Sequence, residues 1–177
     1  VPPGLDGYPT DGKTPASYRG PDLGRARELL AKAGYPGGAG LPPLEFYSSR
    51  GANIPEQMEM ISRQLGQVGV KVNVRLVDFS TLIEAITNKK APVFSFAWGS
   101  DYPDAENNLA LFYGPNGAPG SNHFNYKNAE YDKLYAAAET ELDPVKRAAL
   151  FIQMNDMVVK SNHIIPLISR PRVRGSN

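Results

Sequence analysis

Trp98, Asp101 and Asp104 stand at three-residue intervals in "FAWGSDYPDAENNLALFYG", Phe96 to Gly114, and Trp98 is the chain's only tryptophan. Two kinds of chemistry use such residues. A pair of acids flanking a bond can hydrolyse a glycoside. A single carboxylate beside an aromatic wall can hold a small ligand with a positive end. Acids three apart across a proline turn more commonly cap a helix or meet water, and Asp104 stands where it would cap a helix beginning at Ala105. Asp101, within "SDYPD", has the chemistry of a turn residue bonded to its own backbone. Trp98 and Tyr102 sit where the apolar run "VFSFAWG" gives way to a loop, and ligands of open α/β sheets bind at that C-terminal edge.

Other chemistries find little support. His123 and His163 lie forty positions apart with no partner at ligand spacing, and the chain has no cysteine, which excludes disulfides and thiolate metal sites. "DYPDAEN" lacks the alternating ligands and central glycine of a calcium loop. Neither a G-x-S-x-G elbow nor a phosphate-binding glycine pattern is present. We expect no cofactor, no metal and no catalytic residue, and thus a chain that is not an enzyme. Tyr131 and Tyr135, four apart on a helix, read as ordinary packing.

The elements that must position these residues follow from the hydrophobic pattern. Residues 1–21, with five prolines and four glycines, read as a linker or extended segment. Residues 22–177 read as a single α/β lobe. Asp22 caps a helix, "DLGRARELLAKAG", with Leu23, Ala26, Leu29, Leu30 and Ala33 on one stripe and Gly34 as its stop. "LEFYSS" is a strand. Asn53 and Glu56 have capping-box spacing before a helix facing inward through Ile54, Met58, Ile61, Leu65 and Val68. "VKVNVRLVD" has strand period, and strand, helix and strand in this order make a parallel βαβ unit.

Asp78 opens a further helix with Phe79, Leu82, Ile83 and Ile86 towards the core. "VFSFAWG" is a third strand covered on both faces. Beyond it come a short helix from Ala105, a flexible loop "GPNGAPGSN", and an α-hairpin whose second helix has Asp143 as cap and Pro144 in its first turn. "HIIPLIS" is a last strand at an edge, with His163 on the surface. The fold class is α/β, a mixed but mostly parallel sheet flanked by helices.

The 177 residues suffice to bury a core without staples, and a net charge of +1 gives no case for nucleic acid or an anionic membrane. No apolar run reaches the length of a membrane span, and the opening residues do not resemble a signal peptide, so a fragment without its targeting signal is expected.

Three blocks resemble one family: "YRGPDLGRARELLAKAGYPGG", "FAWGSDYPDAENNL", and "NYKNAEYDKLYAAAETELDPVKRAALFIQMNDMVVKSNHIIPL". In order and spacing, from Tyr18 to Leu167, they are similar to the C-terminal lobe of the dipeptide/oligopeptide-type extracellular solute-binding proteins of ABC transporters. The resemblance implies a periplasmic-binding-protein-like lobe, a fragment of a two-lobed receptor that closes on its ligand. It implies as partners a missing N-terminal lobe of the same chain and a membrane permease. The location would be extracytoplasmic, in the periplasm or held by a lipid anchor.

Trp98 and Asp101 match the family's tryptophan–x–x–aspartate motif. Asp101 would hold a peptide's α-amino group, and Trp98 and Tyr102 would wall the site. Phe79 matches an aromatic that can face the cleft, and Asn122 lies near a ligand-facing loop. No arginine or lysine lies between Lys90 and Lys127, so a peptide's carboxylate finds no counter-charge there. An oligosaccharide therefore stays open as an alternative ligand, and a glycoside hydrolase using Asp101 and Asp104 as a more remote one.

Overall fold

A computed structural model of the chain describes residues 1–8 and 21–167. These residues form two compact units, one of 21–97 and one of 1–8 with 98–167.

In the first unit, α1 (Leu23–Lys32) starts at Asp22, whose carboxylate accepts from the Arg25 N–H at 2.8 Å. It ends at Gly34, with φ +90°, where Gly34 N–H donates to Ala31 and Tyr35 N–H to Leu30. That paired closure is what a left-handed glycine after a helix permits. The expected stripe is only half covered, since Leu29 is 49% exposed and no α1 residue is buried.

β1 (Leu44–Ser49) runs parallel to β2 (Val72–Val77), in register from Leu44 opposite Val72 to Ser49 opposite Val77, and α2 (Ile54–Gly66) makes the crossover. α3 (Phe79–Thr87) follows, and β3 (Val93–Phe94) pairs with the other side of β1, giving the order β2-β1-β3. The described sheet is thus parallel throughout. Leu82, Ile86 and Ala91 form its buried core, with Tyr47, Val77 and Phe94 against them. Gly38 and Gly69, at φ +80° and +86°, let two turns touch backbone to backbone: a Cβ on Gly69 would lie 1.9 Å from the Gly37 carbonyl oxygen.

Several local expectations fail here for physical reasons. Asn53 does not cap α2, because it adopts φ +63° and its side chain makes no cap bond. Asp78 occupies the cap position of α3 without capping it, and its carboxylate lies 3.6 Å from the Arg50 guanidinium. Phe79 does not enter the core; it is 61% exposed. The third strand is two residues long, with one further rung from Ser95 N–H to Tyr47 C=O, and Val93 to Phe96 are half-buried. Strand length needs a backbone partner, which apolar side chains do not encode, and among the described residues β3 has one on a single side.

The second unit holds α4 (Ala105–Leu109), a tight 3-10 turn over Ala110–Phe112, and the hairpin of α5 (Ala129–Thr140) and α6 (Pro144–Ser161). Asn128 and Asp143 cap α5 and α6, each accepting two backbone N–H bonds. Tyr131, Tyr135, Phe151, Met154 and Leu109 are among the most buried side chains of its core. Residues 1–8 belong to this core and not to a linker, since Val1 N donates to Asn155 Oδ1 at 2.8 Å and a Cβ on Gly7 would lie 2.5 Å from Phe151 Cβ. Positions 9–20 of the expected linker lie outside the described residues, as do Ile168 and Ser169 of the expected last strand.

Within that last strand, residues 163–167 form no ladder. α6 closes on Asn162 at φ +57°, Pro166 has no N–H to offer, and the exposed His163 ring meets Tyr126 edge-on at 5.1 Å. The loop expected to be flexible is tied by a bridge between Gly117 and Asn122.

Candidate ligand-binding site

The site grows from the turn that starts α4. Asp104 has extended backbone angles, and its Oδ1 accepts from the Glu106 N–H at 2.8 Å, so it is the expected cap. Its other oxygen takes a 2.6 Å hydrogen bond from Arg147 Nη1 on α6. Arg147 is itself placed by a bond to the Ala138 carbonyl and by lying 4.5 Å over the Phe151 ring. Burial alone would raise the Asp104 pKa, but the Arg147 hydrogen bond, the Glu106 N–H and the Arg147 charge together leave it below its ordinary value. A carboxylate so held has no proton to give at neutral pH, so Asp104 is not suited to be the general acid of a hydrolytic pair.

Asp101, by contrast, is exposed. Its backbone N–H donates to Asn107 Oδ1 at 3.3 Å, and the same oxygen accepts from the Trp98 indole Nε1 at 2.9 Å. Asn107 Nδ2 lies 3.5 Å from Asp101 Oδ2. Asn107 is only 8% exposed, whereas Trp98 is 37% exposed. A buried amide therefore carries an indole and a carboxylate that both reach the surface.

Tyr102 is also exposed, and its hydroxyl donates to Glu106 Oε2. Tyr135, buried on α5, donates to the other oxygen, Oε1, at 2.5 Å and stacks on Tyr113 at 4.3 Å. The Glu106 hydrogen bond is the main cause raising the Tyr102 pKa, and burial is the main cause raising that of Tyr135. Both phenols stay protonated as donors, and Glu106 is occupied on both oxygens.

Trp98, Asp101 and Tyr102 are thus brought together in the second unit. Phe79 belongs to the first unit, exposed at the opening of α3. Asn122 is 1% exposed, and its Nδ2 donates to the carbonyls of Tyr113 and Tyr126 while its Oδ1 accepts from Tyr126 N–H. That is the arrangement of a loop clamp, with both amide hydrogens engaged inside the protein.

Sequence reasoning missed Asn107, Glu106 and Arg147. Asn107 had one usable signal, since it stands three residues after the helix cap, a position from which a side chain reaches back over the entering turn. Among the described residues, no group of three His, Cys, Asp or Glu side chains could hold a metal ion, and no helix is long and apolar enough to cross a membrane. A shallow groove in the first unit is lined by Pro55, Met58 and Leu76, and one in the second by Pro144, Val145 and Ile152; neither includes Trp98 or Asp101.

The parallel sheet with its flanking helices makes this an α/β fold. The chain belongs to the bacterial extracellular solute-binding proteins, family 5 (middle region), whose family model matches residues 1–120. It is 29% identical over 148 residues to a di/tripeptide-binding protein of Pseudomonas aeruginosa, covering 82% of this chain and 28% of that one. It is 30% identical over 157 residues to a glutathione-binding protein of Salmonella typhimurium, covering 83% and 30%. OppA of Haemophilus influenzae, solved in complex with RPPGFSPFR, shares the fold with a TM-score of 0.79 at 21% identity, over 94% of this chain and 33% of that one. The chain therefore spans less than a third of the length of the curated relatives it matches. Those relatives are named as binding proteins, not as enzymes.

Proposed function

We propose that this chain forms part of the ligand-binding lobe of an extracytoplasmic receptor for di- or oligopeptides that serves an ABC importer. Asp101 holds the peptide's ammonium, and Trp98 and Tyr102 wall the site. The other lobe of the receptor completes the cleft by closing over the ligand, which is handed to a membrane permease. A lipid anchor is one way such a receptor is kept outside the cell.

One observation carries this reading: of the two neighbouring aspartates, Asp104 is fully engaged by a helix cap and Arg147, whereas Asp101 presents an exposed carboxylate next to an indole. The relatives named for di- and tripeptides and for glutathione support a peptide over an oligosaccharide.

The test is calorimetry on a receptor of full family length carrying this chain, with trialanine, N-acetyl-trialanine and a cello-oligosaccharide. Removing one partner of a desolvated charge pair costs roughly 2–5 kcal/mol, or ~30- to 4000-fold in affinity, and incomplete desolvation reduces this. Asp101→Ala is expected to weaken trialanine binding at least tenfold, and acetylation of the ligand to do the same. Unchanged affinity in Asp101→Ala removes Asp101 as the anchor. Binding of the sugar alone would replace the peptide reading.

A further inference from the structure

We infer that Asn107 is the positioning residue of this site, a side chain that presents the Trp98 indole and the Asp101 carboxylate as one preorganised unit. The inference rests on the peptide-anchoring role given to Asp101. Its geometric part stands on the amide itself. Asn107 Oδ1 faces the Trp98 Nε1–H at 2.9 Å and the Asp101 backbone N–H at 3.3 Å. Both groups are donors only, so the amide cannot be flipped without opposing donors to donors. With the oxygen so placed, Nδ2 must face Asp101, and it lies 3.5 Å from Oδ2, the outer limit of a hydrogen bond. The Asn107 backbone N–H is in turn tied to the Asp104 carbonyl at 3.3 Å.

Two consequences follow. The plane of an indole that is 37% exposed is fixed from its Nε1 edge. The Asp101 carboxylate is held through Oδ2, while Oδ1 accepts no hydrogen bond among the described residues. A ligand cation arriving at Oδ1 meets a carboxylate and an aromatic wall already ordered, so it does not bear the entropy of ordering them. Asn107 needs no contact with the ligand to do this. An aspartate at 107 would keep an acceptor for both N–H groups but lose the Nδ2 donor. An alanine would keep neither.

Trp98 is the chain's only tryptophan, so its emission reports on this site alone. Asn107→Ala is expected to shift the Trp98 emission and raise its acrylamide quenching in the ligand-free 177-residue chain, with unchanged far-UV circular dichroism. Asn107→Asp is expected to restore both signals, which a general loosening of α4 would not allow. In the full-length receptor, Asn107→Ala is expected to lower trialanine affinity about tenfold, the order of ordering two side chains. Emission and quenching unchanged in Asn107→Ala would overturn the inference. So would altered emission with trialanine affinity within twofold of the parent. A parent receptor that binds no trialanine would defeat the peptide reading instead, and the fluorescence pair would still decide whether Asn107 sets the indole.

Discussion

Asp101 and Asp104 are both carboxylates in one turn, yet removing them should have opposite consequences. Asp104→Ala deletes the acceptor for the Glu106 N–H and the partner of Arg147. The cap is worth about 1 kcal/mol. The ion pair joins side chains that are 28% and 32% exposed, so solvent screening limits it to about 1 kcal/mol as well. Arg147 is not orphaned, since it keeps the Ala138 carbonyl and the Phe151 ring. The total, about 2 kcal/mol, corresponds to a loss of roughly 4–8 °C in Tm for a chain of this size. Asp104→Asn keeps a capping side chain and isolates the charge, at about 1 kcal/mol.

The pH dependence fixes the sign. The folded Asp104 pKa lies below its ordinary value, so its contribution is fully present above the unfolded carboxyl pKa, about 4, and is lost as pH falls through the depressed folded value. Melting curves at pH 7 and along an acid series should therefore show the gap between parent and Asp104→Asn closing at low pH. Asp101→Ala should melt within about 0.5 kcal/mol of the parent throughout, as expected for an exposed residue. A Tm change below 1 °C for Asp104→Ala, or a gap that stays constant with acidification, would refute the reasoning.

Gly69→Ala should destabilise the sheet unit by at least about 2 kcal/mol, because the position has φ +86° and the new Cβ would lie 1.9 Å from a backbone oxygen that cannot rotate away; urea unfolding monitored by circular dichroism measures it. Tyr131→Phe removes a 2.7 Å hydrogen bond to the Leu109 carbonyl in a fully buried site. A cost of about 1–2 kcal/mol is expected in the same assay, and a neutral substitution would mean that water replaces the hydroxyl.

Elements whose stability is local were legible in the sequence, and contacts between distant residues were not. Asp22, Asp104 and Asp143 cap as their spacing implies, because the extended entry and the side-chain acceptor both lie within the turn. Asn53 has equally good spacing and fails, since its left-handed backbone points the side chain away from the first-turn N–H groups, a choice made by the surrounding turn. The sequence pattern located β1 to the residue, while α2 ends short of the expected Val68 and β2 is shorter at both ends than "VKVNVRLVD". The apolar run at Val93 misled because ladder length depends on a partner strand that hydrophobicity does not encode. At the site, Trp98, Asp101 and Tyr102 were legible as types and as a family motif. Arg147, 43 residues from its carboxylate, was beyond any local rule.

The two long-range links of this turn explain how an exposed pair can be held in one geometry. A surface turn of small and polar residues would by itself sample many conformations, and each would offer the carboxylate a different direction. Asp104 fastens the turn's far end to α6 through Arg147, and Glu106, one residue past the start of α4, is held by Tyr135 of α5. Asn107 then transmits that fixed position outward to Trp98 and Asp101. The helical hairpin is therefore more than packing for the core: it is the reference to which the Trp98–Asp101 pair is tied. Weakening Arg147–Asp104 should be felt twice, first in stability and then, more faintly, as a looser Trp98. Acrylamide quenching of Trp98 in Asp104→Asn would register that second effect, and quenching identical to the parent would show that Asn107 alone suffices to hold the pair.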